Sequence, residues 1–321
     1  MKTQKLSRRS ALARTGAVLG SAFASQYVKA APAASDKPAA DSSAPFLFSL
    51  NTATLRGHKL GLVKEIEIAA QAGYQGIEPW IGTIEDYTKS GGSLKDVKKR
   101  LQDLGLSVEG AIGFPEWVVD DDAKRAKGLE RAKYELDLVA QLGGKRLAAP
   151  PAGATNTPGL DLLQAAERYR SLLEAGDQIG VVPQLELWGF SKNFFRLGQC
   201  VCTAIETGHP KACVLVDIFH LYKGGSDFHG LKLLASNTVQ VLHMNDYPAD
   251  PPRDKINDSF RISPGDGSGP ITEILRWLHA TGGQKVLSLE LFNHKLDEQD
   301  PLDVARTGLE KMKSAARKAL G

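Results

Sequence analysis

From Phe46 to the last residue, short apolar runs alternate eight times with longer amphipathic stretches. The runs lie at Phe46–Thr54, Gly76–Trp80, Ser107–Gly113, Arg146–Ala152, Val182–Gly189, Ala212–His220, Val239–Asp246 and Lys285–Phe292. Several are nearly unbroken apolar segments closed by a polar residue, the pattern of a parallel strand buried on both faces. The stretches between them carry apolar residues at helical spacing, as at Leu129, Ala132, Leu136 and Val139 within Asp121–Leu142. Leu160–Ile179, Ile271–Thr281 and Pro301–Leu320 read the same way. Gly73, Gly105, Gly143, Gly180, Gly208 and Gly282 stand where helical patterns stop, and Pro301 stands near the start of one. This repetition predicts a single-domain α/β fold, a (β/α)8 TIM barrel over residues 46–321. A doubly wound sheet also alternates, but usually with fewer units. The residues closing the first run, Leu50-Asn51-Thr52-Ala53-Thr54, lack the glycine-rich dinucleotide turn.

The first 45 residues are of a different kind. Residues 1–30 open with a charged segment containing Arg8-Arg9, continue through a weakly apolar stretch from Thr15 to Tyr27, and end in small residues around Ala30. That order reads as a signal peptide. Ser7 before the arginine pair and Leu12 after it give the form of a Tat export signal, although Ala11 stands where Phe is usual; a Sec-type signal is the alternative. Residues 31–45 form a Pro/Ala/Ser linker with nothing to bury, hence a disordered tether. The expected location is the periplasm or another exported compartment, reached through the Tat machinery.

Charge supports this division. The formal charge of +3 depends on Lys2, Lys5, Arg8, Arg9, Arg14 and Lys29, which have no acidic counterpart in their segment. Without them the remainder carries three more acids than bases, so nothing drives it electrostatically towards nucleic acid. No apolar stretch is long enough for a transmembrane helix, and no cysteine lies beside the processing site to take a lipid anchor. Cys200, Cys202 and Cys213 are too few for a disulfide framework and read as packed thiols rather than a redox or metal motif.

In a barrel, side chains at the carboxyl ends of the strands converge on one mouth. Glu186, Asp217, His243 and Glu290 each follow an apolar run on four successive strands. A buried carboxylate without a partner costs roughly several kcal/mol and would rather be protonated. Three carboxylates and an imidazole at one mouth are reconciled by one divalent metal ion. Mixed oxygen and nitrogen ligation suits Mn²⁺ best, with Mg²⁺, Co²⁺ and Zn²⁺ as alternatives.

The motifs Gly76-Ile77-Glu78-Pro79-Trp80, Leu185-Glu186, Val216-Asp217-Ile218-Phe219-His220, His243-Met244-Asn245-Asp246, Pro264-Gly265-Asp266-Gly267 and Ser288-Leu289-Glu290-Leu291 occur in this order. With them the chain resembles the xylose-isomerase-like TIM-barrel superfamily, in its sugar isomerase and epimerase branch. The resemblance implies that Glu186, Asp217, His243 and Glu290 hold one divalent metal and that Glu186 and Glu290 are the catalytic acid and base. It implies an isomerase or epimerase of a sugar, keto-sugar or polyol that passes through an enediolate. An exported address argues for an unphosphorylated substrate. Two other readings stand beside it: a keto-glycoside lyase or hydratase using the same metal site, and a non-catalytic periplasmic sugar-binding barrel.

His220, Arg253, Arg261, Trp80 and Trp188 are candidates for substrate binding, with packing or solvation as the alternative for each. Asn51 and Glu78 are weaker candidates for lining the mouth. Gly265-Asp266-Gly267 reads as a turn into a helix rather than a phosphate cradle. The superfamily's three-zinc DNA-repair enzymes need further histidines where this chain has Pro79, Trp80, Glu109 and Arg261. Barrels of this branch often pair, which makes a homodimer compatible with the chain. Replacing Arg8 and Arg9 with lysine should hold the protein in the cytoplasm, measured by cell fractionation; undiminished export would indicate a Sec route.

Overall fold

Each of the eight runs contributes one parallel strand: β1 (Phe46–Asn51), β2 (Gly76–Glu78), β3 (Ser107–Val108), β4 (Arg146–Ala149), β5 (Val182–Glu186), β6 (Val214–Asp217), β7 (Val241–Met244) and β8 (Lys285–Leu289). The computed structural model describes residues 44–321, so the signal peptide and nearly all of the linker lie outside the described residues. Helices follow the strands as α1 (Leu62–Ala72), α2 (Ile81–Lys89), α3 (Leu94–Asp103), α4 (Asp122–Gln141), α5 (Leu162–Ile179), α6 (Leu197–Glu206), α7 (Ile218–Gly224), α8 (Ile271–Ala280) and α9 (Pro301–Leu320). Strand order is β3-β2-β1-β8-β7-β6-β5-β4, a parallel sheet curled into a barrel whose ladder stays open between β3 and β4. Ala111, just beyond β3, spans that seam: its amide donates to the Arg146 carbonyl at 3.1 Å, and its carbonyl accepts from Ala148 at 2.9 Å.

The strands are shorter than the apolar runs, and the reason is local. Asp217 ends β6 and caps α7, its Oδ1 accepting from the His220 amide at 2.7 Å. Phe219 and His220 therefore belong to a helix, not to the strand. The six glycines that close helical patterns all take positive φ, from 59° to 96°. At Gly73 this turns the amide back onto the Ala69 and Ala70 carbonyls, a geometry that a Cβ would strain. Pro301 is the first residue of α9, and the Asp300 carboxylate accepts from the next two amides.

Alternation along the strands separates two apolar layers. Leu47, Ile112, Ala148, Leu215, Val241 and Val286 fill the barrel interior. Residues of opposite parity, such as Leu50, Val216, Leu242 and Leu289, pack outward against Ile66, Leu136, Leu172, Ile274 and Leu309 of the helices. Cys200 and Cys202 lie in α6 and Cys213 just before β6; all three are free thiols. Burial pushes the Cys213 thiol up to about 11, which makes it a packing group rather than a nucleophile. Among the described residues no helix is long and apolar enough to cross a membrane.

Glu65 is a cost built into α1. It is 5% exposed, its Oε2 has no partner among the described residues, and burial raises its pKa to about 7 despite a hydrogen bond with Thr52. A carboxyl with a raised folded-state pKa stabilises the fold relatively below pH 4.5, and that contribution is lost as pH rises towards 7. Glu65→Gln should therefore change stability little at pH 4 and raise it at pH 8. The gain, read by urea denaturation, should be on the order of 3 kcal/mol.

Candidate active site

The same two-residue alternation decides what enters the barrel mouth. Along β6 the inward residue Leu215 is followed by Asp217, and along β7 Val241 is followed by His243. On β8 Val286 and Ser288 lead to Glu290; on β5 Gln184 leads to Glu186. Asn51 and Glu78 end β1 and β2 in the same way and are register partners, as are Asp217 and His243. All six upper residues are at most 4% exposed.

Ligand atoms of Asp217, His243 and Glu290 lie within 4.8 Å of one another, so these residues form a divalent-metal-binding triad. His243 Nδ1 stands 3.2 Å from Glu290 Oε2, 3.7 Å from Glu186 Oε1 and 3.9 Å from Asp217 Oδ2. Glu186 thus borders the triad, although it lies outside the tightest grouping. The other imidazole nitrogen is engaged: Nε2 faces Glu78 Oε2 at 3.0 Å. A carboxylate only accepts here, so Nε2 carries a proton, and Nδ1 is the nitrogen that faces the other three carboxylates, placed to ligate a cation shared with them. Ser288 at 2.8 Å and Asn51 at 3.0 Å donate to the same Glu78 oxygen and hold it in place.

Charge is the dominant feature of this site. Four buried carboxylates, Glu78, Glu186, Asp217 and Glu290, meet one guanidinium and one imidazole, Arg261 and His243. Even with His243 protonated, the carboxylates exceed the cations by two. Burial disfavours the charged imidazole, but Glu290 and Glu78 reverse that and hold His243 well above its usual range. Burial, together with Glu290 and Asp217, raises the Glu186 carboxyl. Burial works against ionisation of Glu290 too, yet His243 and Arg261 overcome it and keep that group below the ordinary carboxylate range.

The donor set fits a divalent ion on observations of its own. Glu186 Oε2 and His243 Nδ1 are buried without hydrogen-bond partners among the described residues, and both belong to this cluster. A polar atom buried without a partner is costly, and a cation shared by the two groups relieves both at once.

Arg261 is 1% exposed and comes from the long loop after β7. Its Nη1 donates to Asp217 Oδ2 at 2.6 Å and Glu290 Oε2 at 2.8 Å, while Asp258 grips its other side at 2.6 Å and 3.0 Å. Nη2 also reaches His220 Nε2 at 3.1 Å. Arginine can only donate, so His220 Nε2 accepts and its proton sits on Nδ1, which is buried and has no hydrogen-bond partner among the described residues. Burial and Arg261 lower the His220 pKa and favour that neutral form, with Asp217 opposing.

The remaining sequence candidates are distributed unevenly. Trp80 donates from Nε1 to Asn51 Oδ1 at 3.1 Å, and Asn51 donates to Glu290 Oε1 at 2.9 Å, which ties the indole to the cluster. Trp188 packs against Phe114 and Phe190 above the end of β5. Arg253 is exposed and lies against Gly225 beyond α7; the guanidinium that meets Asp217 and Glu290 is that of Arg261. The Gly265–Gly269 turn donates its amides from Gly265, Gly267 and Gly269 to the Asp246 carboxylate, so it is a turn anchored by a side chain.

Three supporting residues escaped emphasis in the sequence. Glu78 closes an apolar run just as the four ligand candidates do, and the same signal identifies it. Asn245, two residues beyond His243, donates to Asp217 Oδ2 at 3.0 Å and accepts from the Phe219 amide at 2.9 Å. Asp258 precedes Arg261 by three residues, but nothing short of the folded loop brings the pair to the mouth.

A parallel barrel holding this triad at its carboxyl mouth presents a metal-binding site typical of sugar isomerases, epimerases and lyases. Residues 66–315 match the sequence profile described as Xylose isomerase-like TIM barrel, and the chain belongs to that family. It is 27% identical over 255 residues to the 3-dehydroshikimate dehydratase of Pseudomonas aeruginosa, covering 76% of this chain and 38% of that protein. The chain thus spans well under half the length of that dehydratase. It is 24% identical over 237 residues to the 3-dehydro-D-guloside 4-epimerase of Escherichia coli, covering 68% of this chain and 83% of that one. Among solved structures, an IOLI protein with a bound zinc atom superposes with a TM-score of 0.78 at 20% identity, covering 85% of this chain and 99% of that one.

The orienting role of Glu78 is testable without turnover. Glu78→Ala should weaken Mn²⁺ binding about 10- to 100-fold, measured by calorimetric titration of metal-free protein. Glu78→Gln, which keeps an acceptor oxygen, should fall between the two; unchanged affinity in Glu78→Ala would remove the residue from the site.

Proposed function

We propose that this protein is a divalent-metal-dependent isomerase or epimerase of an unphosphorylated sugar, keto-sugar or polyol, and that it acts by enolisation. The observation that carries the reading is the buried convergence of Glu186, Asp217, His243 and Glu290, with carboxylate in excess of cation. These four residues would hold the ion, with Mn²⁺ favoured by the mixed oxygen and nitrogen donors; the zinc in the IOLI structure makes Zn²⁺ a second choice. Such an ion, when bound, supplies positive charge to a substrate carbonyl and its neighbouring hydroxyl.

The protein's own groups do the rest. Glu186 ends β5 and Glu290 follows β8, with β6 and β7 between them, a separation that suits two carboxylates acting on opposite faces of a substrate carbon. One takes the proton from the carbon beside the carbonyl, and the C–H electron pair moves into the enediolate. The other returns a proton to the opposite face, which inverts that carbon. His220 Nδ1–H is a free buried donor for a substrate hydroxyl, and Arg261 lies beside it for an oxygen carrying developing charge. The turn amides that a phosphate would need are taken by Asp246, in keeping with an unphosphorylated substrate. Export to the periplasm through the Tat route belongs to the same proposal.

A second reading has specific support, because the relatives named as dehydratases catalyse loss of water. If the substrate bears a leaving group β to the carbonyl, the first proton removal leads to elimination instead, and a keto-glycoside would lose its aglycone. Incubation with a panel of ketoses and keto-glycosides in D2O with Mn²⁺ should incorporate deuterium at the carbon next to the carbonyl, read by NMR. Glu290→Gln and chelation of the metal should each reduce exchange by about a hundredfold or more. Exchange with an intact product supports epimerisation and released aglycone supports elimination. Turnover that survives both treatments would refute the metal mechanism.

A further inference from the structure

Six aromatic rings and one guanidinium close a circuit around the barrel mouth. The Phe292 ring lies 6.1 Å from Trp80, Trp80 5.3 Å from Phe114, and Phe114 5.9 Å from Trp188. Trp188 is 5.1 Å from Phe190, and Phe190 is 5.6 Å from His220. His220 then bonds Arg261 at 3.1 Å, and the Arg261 guanidinium stands 4.9 Å from the Phe292 centroid. All the ring spacings are those of aromatics packed on one another. The members follow β2, β3, β5, β6, β7 and β8, so the circuit is a product of the barrel and not of any local sequence pattern.

Polarity is divided around this circuit. Trp80 donates to the Asn51 amide oxygen, and Arg261 bonds both His220 and the carboxylate floor. Phe114 and Phe190 carry none, and they are 41% and 47% exposed, with Trp188 packed between them. Exposing two phenylalanines beside a tryptophan sacrifices burial worth about 25 cal/mol per Å² of apolar surface. Contiguous apolar surface of this kind, in contact through Phe190 and His220 with a polar cluster, marks a binding face. A single sugar ring held by its oxygens is served by the polar floor. The apolar step outside it matches a second ring, joined through a glycosidic oxygen, that presents a flat C–H or aryl face.

We propose that Phe114, Trp188 and Phe190 form a subsite for the aglycone ring of a glycoside, so that the substrate is a keto-glycoside with a flat-faced sugar or aryl aglycone rather than a free keto-sugar. The inference rests on the reading above for the ring that reacts; recognition of the other ring is independent of chemistry. Mn²⁺-loaded wild-type protein, Phe114→Ala, Phe190→Ala and the double variant are titrated calorimetrically with phenyl β-glucoside, cellobiose and methyl β-glucoside. These unoxidised ligands need no turnover, so the titration stands even if no keto-sugar is enolised.

Wild-type protein should bind phenyl glucoside or cellobiose at least tenfold more tightly than methyl glucoside, about 1.4 kcal/mol. The double variant should lose most of that preference while its affinity for methyl glucoside changes less than about twofold. Preference for cellobiose alone would assign a sugar aglycone, and preference for phenyl glucoside alone an aryl one; either supports the subsite. Equal wild-type affinity for all three, or a double variant that weakens all three alike, overturns it. Preserved preference without deuterium exchange on any keto form would leave the subsite in place and reject the enolisation.

Discussion

The structure is organised around negative charge that its own cations do not balance. Glu78, Glu186, Asp217 and Glu290 are buried at the barrel mouth by strand alternation, and Arg261 and His243 answer only part of their charge. Carboxylates buried in this way persist only if they are paired, protonated or bound to a cation. All three remedies are visible or prepared here. Arg261 bridges two of the groups, burial pushes Glu186 towards its protonated form, and the triad brings together ligand atoms for a shared ion.

Much of the surrounding architecture follows from that need. Glu78 holds Nε2 of His243, Asn51 links Glu78 to Glu290, and Asn245 joins β7 to the cap of α7 through Asp217. The long loop after β7 is stapled twice: Asp246 gathers the amides of its glycine turn, and Asp258 holds Arg261 over the carboxylates. The polar floor therefore belongs to strand ends, which are rigid, while the aromatic wall belongs to the loops above them. Such a division lets a barrel keep one chemistry and vary the substrate through its loops.

Much of this arrangement was legible in the residues. All eight strands lie inside the apolar runs, the six helix-closing glycines take the left-handed turn, and α9 spans Pro301–Leu320 as its pattern requires. The triad members are three of the four strand-end ligand candidates, and Glu186 lies beside them. The divergences have local causes. The run through Phe219 and His220 turns helical once Asp217 caps it, and β3 shrinks to two residues before the seam. Arg253 and Arg261 were equivalent as loop arginines, yet the loop buries one and leaves the other exposed.

By itself, then, the sequence determined the period-two placement of acids and imidazole over an apolar floor and the punctuation of eight strand–helix units. Those properties are local, set by side-chain direction and backbone preference within a few residues. Only tertiary structure decided which nitrogen of His243 faces the carboxylate cluster, which arginine meets the carboxylates, and that rings from five separate segments touch around the mouth. Those outcomes depend on loop paths and on contacts between residues as much as 239 positions apart, as with Asn51 and Glu290. No local pattern encodes such separations, because the curvature of the sheet is what brings the strand ends together.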